Sequence, residues 1–217
     1  MPGSAKPQAS PRVRQKRRKV RQEIIDVAER GLHERGFEAV TLASIAGEMG
    51  MTKQALYHYF PSKDALASSL VTRLFDAEID ALIAAVEAQR DVKNVLGRMI
   101  RAFYTHYVDR FDAFRLIYCQ SQLTSAAELG MDASTIRDEI NPRTRRLFDV
   151  LEARLAGATR SRAKRQAARR LAYTAWTSAL GLLTMLSIAD ATDDPLAHPG
   201  EILLDRLVHV FDAAAEA

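Results

Sequence analysis

Only one cysteine, Cys119, occurs in the 217 residues. An internal disulfide and a multi-cysteine zinc site are thereby excluded, and the chain suits a reducing, cytoplasmic compartment. Glycine and proline are sparse, at ten and seven residues. With few β-branched runs and abundant Ala, Leu and Arg, this favours an all-α protein. Acids are missing altogether from residues 1–22, which carry Lys6, Arg12, Arg14, Lys16, Arg17, Arg18, Lys19 and Arg21. These eight cations exceed the net charge of +4, so the other 195 residues stand at −4. The segment also lacks the apolar stretch of a secretory signal. Enzyme signatures are missing too: there is no glycine-rich phosphate loop, no GxSxG and no HExxH, and the five histidines are scattered at 33, 58, 106, 198 and 209. No metal, no cofactor and no enzymatic activity are expected. His106 and Cys119, on neighbouring expected helices, are the one pair that could act as base and nucleophile in a helical enzyme. A boundary imidazole and a buried apolar thiol explain them more simply.

What is present is organised around Thr41 to Phe60, TLASIAGEMGMTKQALYHYF. Thr41 suits the N-cap of a short helix whose apolar positions Leu42, Ile45, Ala46 and Met49 recur at helical spacing. Gly50 supplies a left-handed residue to end it, with Met51 as the apolar contact across the corner. Thr52 caps a second helix at once, and so short a connection is helix-turn-helix geometry. On this second helix Leu56, Tyr59 and Phe60 gather on one side to pack inward. Lys53, Gln54, Tyr57 and His58 gather on the other, with Ala55 at the border. A cation, an amide, a phenol and an imidazole can reach base edges and phosphates, so this is the candidate for the major groove. A solvated surface helix is the plainer alternative, but one with two aromatics and no carboxylate is an odd choice for solubility.

The run from Arg21 to Leu70, and especially LYHYFPSKDAL (Leu56 to Leu66), resembles the DNA-binding domain of the tetracycline-repressor (TetR) family. The resemblance is specific over some 50 residues and architectural beyond Leu70. It implies three DNA-binding helices followed by a larger helical domain that dimerises and binds a small molecule. The expected fold is therefore all-α, a three-helix helix-turn-helix domain plus a helical ligand-binding and dimerisation domain, with about nine helices. Expected boundaries are a basic, largely disordered arm over 1–19, a DNA-binding domain over 20–65, and an effector-binding and dimerisation domain over 66–217.

The arm, with Arg17 and Arg18 nearest the domain, is a natural phosphate or minor-groove contact; a solubilising tail is the alternative. The first helix is expected from Val13 to Arg35, with Val20, Ile24, Ile25, Val27, Ala28 and Leu32 as its stripe and Gly36 as its stop. Pro61 ends the recognition helix and Ser62 caps the fourth, placing Lys63 where ammonium and backbone N–H groups could hold one phosphate. The fourth helix continues to Ala88 with Leu66, Leu70, Leu74, Leu82 and Val86 along it.

Asp91 is expected to cap a fifth helix, ending at Arg110, and a sixth runs from Asp112 to Leu123. A polar loop then extends to Ile140, where Asn141-Pro142 reads as the start of a seventh helix ending at Gly157. The eighth, Ser161 to Ala189, contains 19 uncharged residues from Leu171 to Ala189. That length would span a membrane, but its many hydroxyl side chains favour burial within protein, and no membrane partner is expected. The ninth covers Glu201 to Ala214. Apolar residues in excess on the last two helices argue for a homodimer through helices eight and nine.

By helix order Phe103, Tyr107, Phe111, Tyr118, Leu123, Phe148, Trp176 and Met185 are expected to line a cavity for a hydrophobic small-molecule effector. Arginines 143, 145, 146, 160, 162, 169 and 170 could draw an anionic effector, or simply form a solvated face. The chain therefore reads as a regulator that binds double-stranded operator DNA as a homodimer, most simply a repressor released by a hydrophobic effector. A transcriptional activator or a ligand-independent DNA binder would use the same fold.

Overall fold

Ser10 and Pro11 begin the first helix, α1 (Pro11–Arg35), with the Ser10 hydroxyl accepting from the Val13 N–H at 3.4 Å. The structure is a computed structural model and describes residues 10–88, 94–119, 133–194 and 199–216. It is all-α, and the chain divides into two compact units, Met1–Leu70 and Val71–Ala217. Because α1 starts two residues before Val13, Arg12 to Lys19 ride on a helix rather than on a disordered arm. Lys6 lies outside the described residues.

In the first unit Ile24, Ile25, Val27, Ala28 and Leu32 form the buried side of α1. Gly36, at φ 75°, ends it by donating its N–H to the Leu32 carbonyl. A single 3-10 turn (Phe37–Ala39) leads to α2 (Leu42–Glu48), α3 (Lys53–Tyr57) and the start of α4 (Lys63–Glu87). Val40, Leu42, Ile45, Ala46, Leu56, Phe60, Leu66, Ala67 and Leu70 complete this core. Leu56 and Phe60 are both 0% exposed. Burial of that kind contributes roughly 1.5–3 kcal/mol per side chain, and these two residues hold α3 down on its inner side.

The second unit takes the rest of α4 with α5 (Val95–Tyr107), α6 (Phe111–Phe114), α7 (Asn141–Ala156), α8 (Arg162–Thr192) and α9 (Gly200–Glu216). Among the described residues that makes nine α-helices when the single turn before α7 is counted with it. α8 packs on α7, α5 and α9, and α9 packs on α5. Gly97 permits the last contact, since a Cβ there would collide with the Asp212 carboxylate and the Val208 side chain. The Gly97 N–H donates to the same side chain at 2.9 Å.

Three expectations change in this unit. α6 passes into a π-helical turn (Arg115–Cys119) rather than running on as one α-helix. Asn141 is not an N-cap: an α-turn (Ala133–Thr135) and a π-helical turn (Ile136–Ile140) run straight into α7, and the Asn141 N–H is already bonded to the Ile136 carbonyl. The described part of the expected loop, 133–140, is therefore helical. Asp91 lies outside the described residues, and Asn94, in left-handed conformation, precedes α5. The arginines foreseen on α7 and α8 are partly spent on ion pairs: Arg143 with Asp76, Arg146 with Asp80, and Arg169 with Asp149 and Glu152.

α8 is long and apolar enough to cross a membrane by length and composition. Its buried line is Ala172, Ala175, Ala179, Leu183 and Ser187, directed at its own unit. Thr174, Thr177, Ser178, Thr184 and Ser187 turn their hydroxyls back onto carbonyls three or four residues earlier.

Candidate nucleic-acid interface and effector cluster

Around the helix-turn-helix the local chemistry is closely specified. Thr41 forms a capping box with Ser44: its hydroxyl accepts from the Ser44 N–H at 3.0 Å, and Ser44 Oγ accepts from the Thr41 N–H at 3.1 Å. Gly50, at φ 63°, donates to Gly47, while Met51 donates to Ala46 at 2.8 Å. This double bond pattern closes α2 and turns the chain sharply into α3. The Thr52 hydroxyl then accepts from the Ala55 N–H at 3.1 Å and fixes the first turn of α3.

Lys53, Gln54, Tyr57 and His58 are exposed, and Tyr57 is 51% accessible despite its size. Ala55 is half-buried at the border. The C-terminal end of α3 is held from α1. Arg17 donates to the His58 carbonyl at 3.1 Å, and Arg21 donates to the Tyr59 carbonyl at 2.9 Å. Arg21 also reaches Ser69 Oγ at 2.7 Å and lies over the Phe60 ring at 4.1 Å. Cations at a helix C-terminus complement its carbonyls, so Arg17 and Arg21 position α3. Arg18 stays exposed on α1. Lys63 is engaged with the first unit's own residues: its ammonium is 3.7 Å from the Glu38 carboxylate and 4.6 Å from the Phe37 ring centroid.

In the second unit Phe103, Tyr107, Phe114, Tyr118 and Trp176 form a connected aromatic cluster with centroids 5.2–6.3 Å apart. Phe148 joins it edge-on to Trp176 and stacks on Tyr173 at 3.6 Å. Of the expected lining, Phe103, Tyr107, Tyr118, Phe148 and Trp176 come together. Phe111 stands half-buried under the Arg115 guanidinium, 5.7 Å from its ring. Met185 is 59% exposed on the opposite side of α8 and does not line the cluster. Leu123 lies outside the described residues.

At the centre of the cluster is a residue that the sequence reading passed over. Glu78 is 0% exposed and accepts from the Tyr107 hydroxyl at 2.6 Å and the Tyr118 hydroxyl at 2.7 Å. Burial pushes its carboxyl up to about 7, against the opposing pull of the two phenols. Burial, with Glu78 close by, likewise raises both tyrosines well above the ordinary phenol range. The signal was available: Glu78 falls four residues after Leu74 and four before Leu82, in the middle of the buried stripe. His106, against Tyr107, is held down to about 4 by burial and by Arg110. Among the described residues no bond or ring contact joins His106 to Cys119, and no grouping of three or more His, Cys, Asp or Glu is suited to a metal.

The chain thus presents a helix-turn-helix whose polar outer face is braced from the helix before it, followed by a helical unit with an aromatic interior. Residues 24–70 match the family described as bacterial regulatory proteins, tetR family. Among curated relatives, the nucleoid occlusion factor SlmA of Pasteurella multocida is 45% identical over 65 residues, 30% of this chain and 29% of that protein. The transcriptional regulator TtgR of Pseudomonas putida is 35% identical over 81 residues, 37% of this chain and 38% of that one. The chain thus spans less than two fifths of the length of these relatives. The solved structure of the regulatory protein SCO4313 shares the fold at TM-score 0.69 and 24% identity, covering 93% of this chain and 98% of that one.

Proposed function

We propose that the chain is a sequence-specific DNA-binding transcriptional regulator, a cytoplasmic repressor that leaves a palindromic operator when a hydrophobic small molecule binds its second unit. The observation that carries this reading is α3, whose exposed Lys53, Gln54, Tyr57 and His58 stand on a short helix locked by Thr52, Arg17 and Arg21. In this reading Lys53 and Gln54 read base edges, while Thr41, Thr52, Tyr57, His58 and Lys63 face phosphates and Arg18 follows the backbone alongside. Lys63 would have to exchange Glu38 for a phosphate on binding.

The homodimer is assigned to α8 and α9. Tyr173, Thr177, Gly181, Met185 and Ile188 are exposed along one line of α8, and Ile202 and Val210 are 53% and 59% exposed two turns apart on α9. That apolar line supports burial against a second copy rather than in lipid. Effector binding at the aromatic cluster would shift α4 and change the separation of two α3 helices. A ligand shifts such an equilibrium only through differential affinity, and the coupling works equally in both directions.

The relatives named nucleoid occlusion factor favour a second reading, a DNA binder whose output is not transcription. The experiment measures operator affinity with and without effector, and effector affinity with and without operator. A reciprocal change of roughly 5–150-fold supports the repressor. Equal affinities in both pairs leave the chain a ligand-independent DNA binder.

A further inference from the structure

Glu78 is an unusual group to keep inside a helical unit. A buried carboxylate is costly unless a cation or several donors offset it. Among the described residues no cationic side chain bonds to Glu78; its partners are two phenols that themselves carry no charge. A glutamine would serve a purely structural triad without the cost of a charge. The surrounding walls are rings: Phe103 stands edge-on to Tyr107 and Tyr118 at 5.5 and 6.0 Å, and Trp176 lies 6.2 Å from Tyr118 and 6.3 Å from Phe103. Trp176 Nε1 is buried with no hydrogen-bond partner, so the cluster's own residues leave a donor unused. Tyr118 and Trp176 are also the members that reach the surface, both being only partly buried.

Each feature selects for one kind of visitor. An anion would meet Glu78 as a like charge, and a neutral apolar molecule gains nothing from a carboxylate. A cation with an apolar body gains both the carboxylate and the negative faces of the rings. Resting on the effector reading above, we propose that the Glu78 cluster is a recognition site for a lipophilic monocation of the aryl-ammonium type, its charge on the Glu78 carboxylate and its apolar body against Phe103, Tyr118 and Trp176. Entry is by rotation of Tyr118 and Trp176, which frees one side of the carboxylate while Tyr107 continues to hold the other. The unused indole N–H is then available to an acceptor oxygen on the same ligand.

The chain contains a single tryptophan, so Trp176 fluorescence reports on this site alone. The test titrates the full-length protein at pH 8 with benzyltrimethylammonium and with neopentylbenzene, its neutral carbon isostere. The cation should change Trp176 emission saturably. Glu78→Gln should weaken the cation at least tenfold while leaving the neutral compound within twofold. Trp176→Leu, read by calorimetry, should weaken the cation at least fivefold, and it keeps the inference testable if the Gln variant fails to fold. Absence of saturable cation binding, or equal loss of both compounds in Glu78→Gln, overturns the inference. Operator affinity measured alongside separates the two readings. Operator release by the neutral compound, independent of Glu78, keeps the effector role and removes the cation site. Cation binding that depends on Glu78 but leaves operator affinity unchanged keeps the site and removes the effector role.

Discussion

Replacing Glu78 by Gln should make the second unit more stable at alkaline pH, and the structure gives the size of the effect. The Glu78 carboxyl is raised from 4.5 to about 7 in the folded chain by complete burial. Between those values the native state keeps a proton that the unfolded chain has released. Stability therefore falls as pH rises, by about 1.4 kcal/mol per pH unit and about 3 kcal/mol in total by pH 8. Below pH 4.5 the penalty vanishes. Gln cannot ionise and can still bond both phenols, so the difference between variant and wild type should grow by about 3 kcal/mol from pH 4.5 to pH 8. Tyr107 and Tyr118 titrate far above this window. His106 works in the opposite direction: its folded value of about 4 lies below the ordinary 6.5, so the stability it gives is present above pH 6.5 and is lost as pH falls through 4. It is common to both proteins and drops out of the comparison. Followed by Trp176 fluorescence, the melting temperature of Glu78→Gln relative to wild type should rise by roughly 6–12 °C between the two pH values. A difference that stays constant with pH would refute the burial argument.

Other consequences follow on the proposed DNA-binding and dimer surfaces. Gln54→Ala or Lys53→Ala should cost roughly 1–3 kcal/mol at the cognate operator and relax preference at individual base pairs, whereas Lys63→Ala should weaken all sequences alike; operator titrations over base-substituted sites check both. Arg14→Gln with Arg18→Gln leaves Ser10 and Arg17 in place, and should flatten the log K against log salt slope by about 0.9 for each lost phosphate contact. A Cβ at Gly181 meets nothing within 4 Å, so Gly181→Trp should leave the protomer folded yet shift the dimer toward monomer in sedimentation.

How much the sequence revealed depended on how local the cause was. Thr41, Gly50 and Thr52 act within four residues of themselves, and each cap and turn was legible from spacing alone. Leu56 and Phe60 could be placed inward because α3 carries polar residues on its other side. Asn141-Pro142 misled for the opposite reason: the helical run arriving from Ala133 supplies the bonds that a cap would have made, and a local signal cannot register it. The buried and exposed sides of α8 could not be told apart, because Leu171 to Ala189 carries no charge to mark solvent. Met185 was thus placed inward, while Ala172, Ala175 and Ala179, too small to draw notice, form the true contact line. Glu78 interrupts the leucine stripe of α4, yet its meaning rests on Tyr107 and Tyr118, 29 and 40 residues away. Arg17 and Arg21 were legible as cations, but not as the clamp on α3.

The central claim is that two copies of α3 read DNA together, and footprinting of genomic fragments selected by the purified protein tests it most directly. The account predicts protected sites with two-fold symmetry, their half-sites about one helical turn or a small multiple apart, and loss of protection in Gln54→Ala. Protection without two-fold symmetry, or full affinity from a monomeric Gly181→Trp variant, would contradict it.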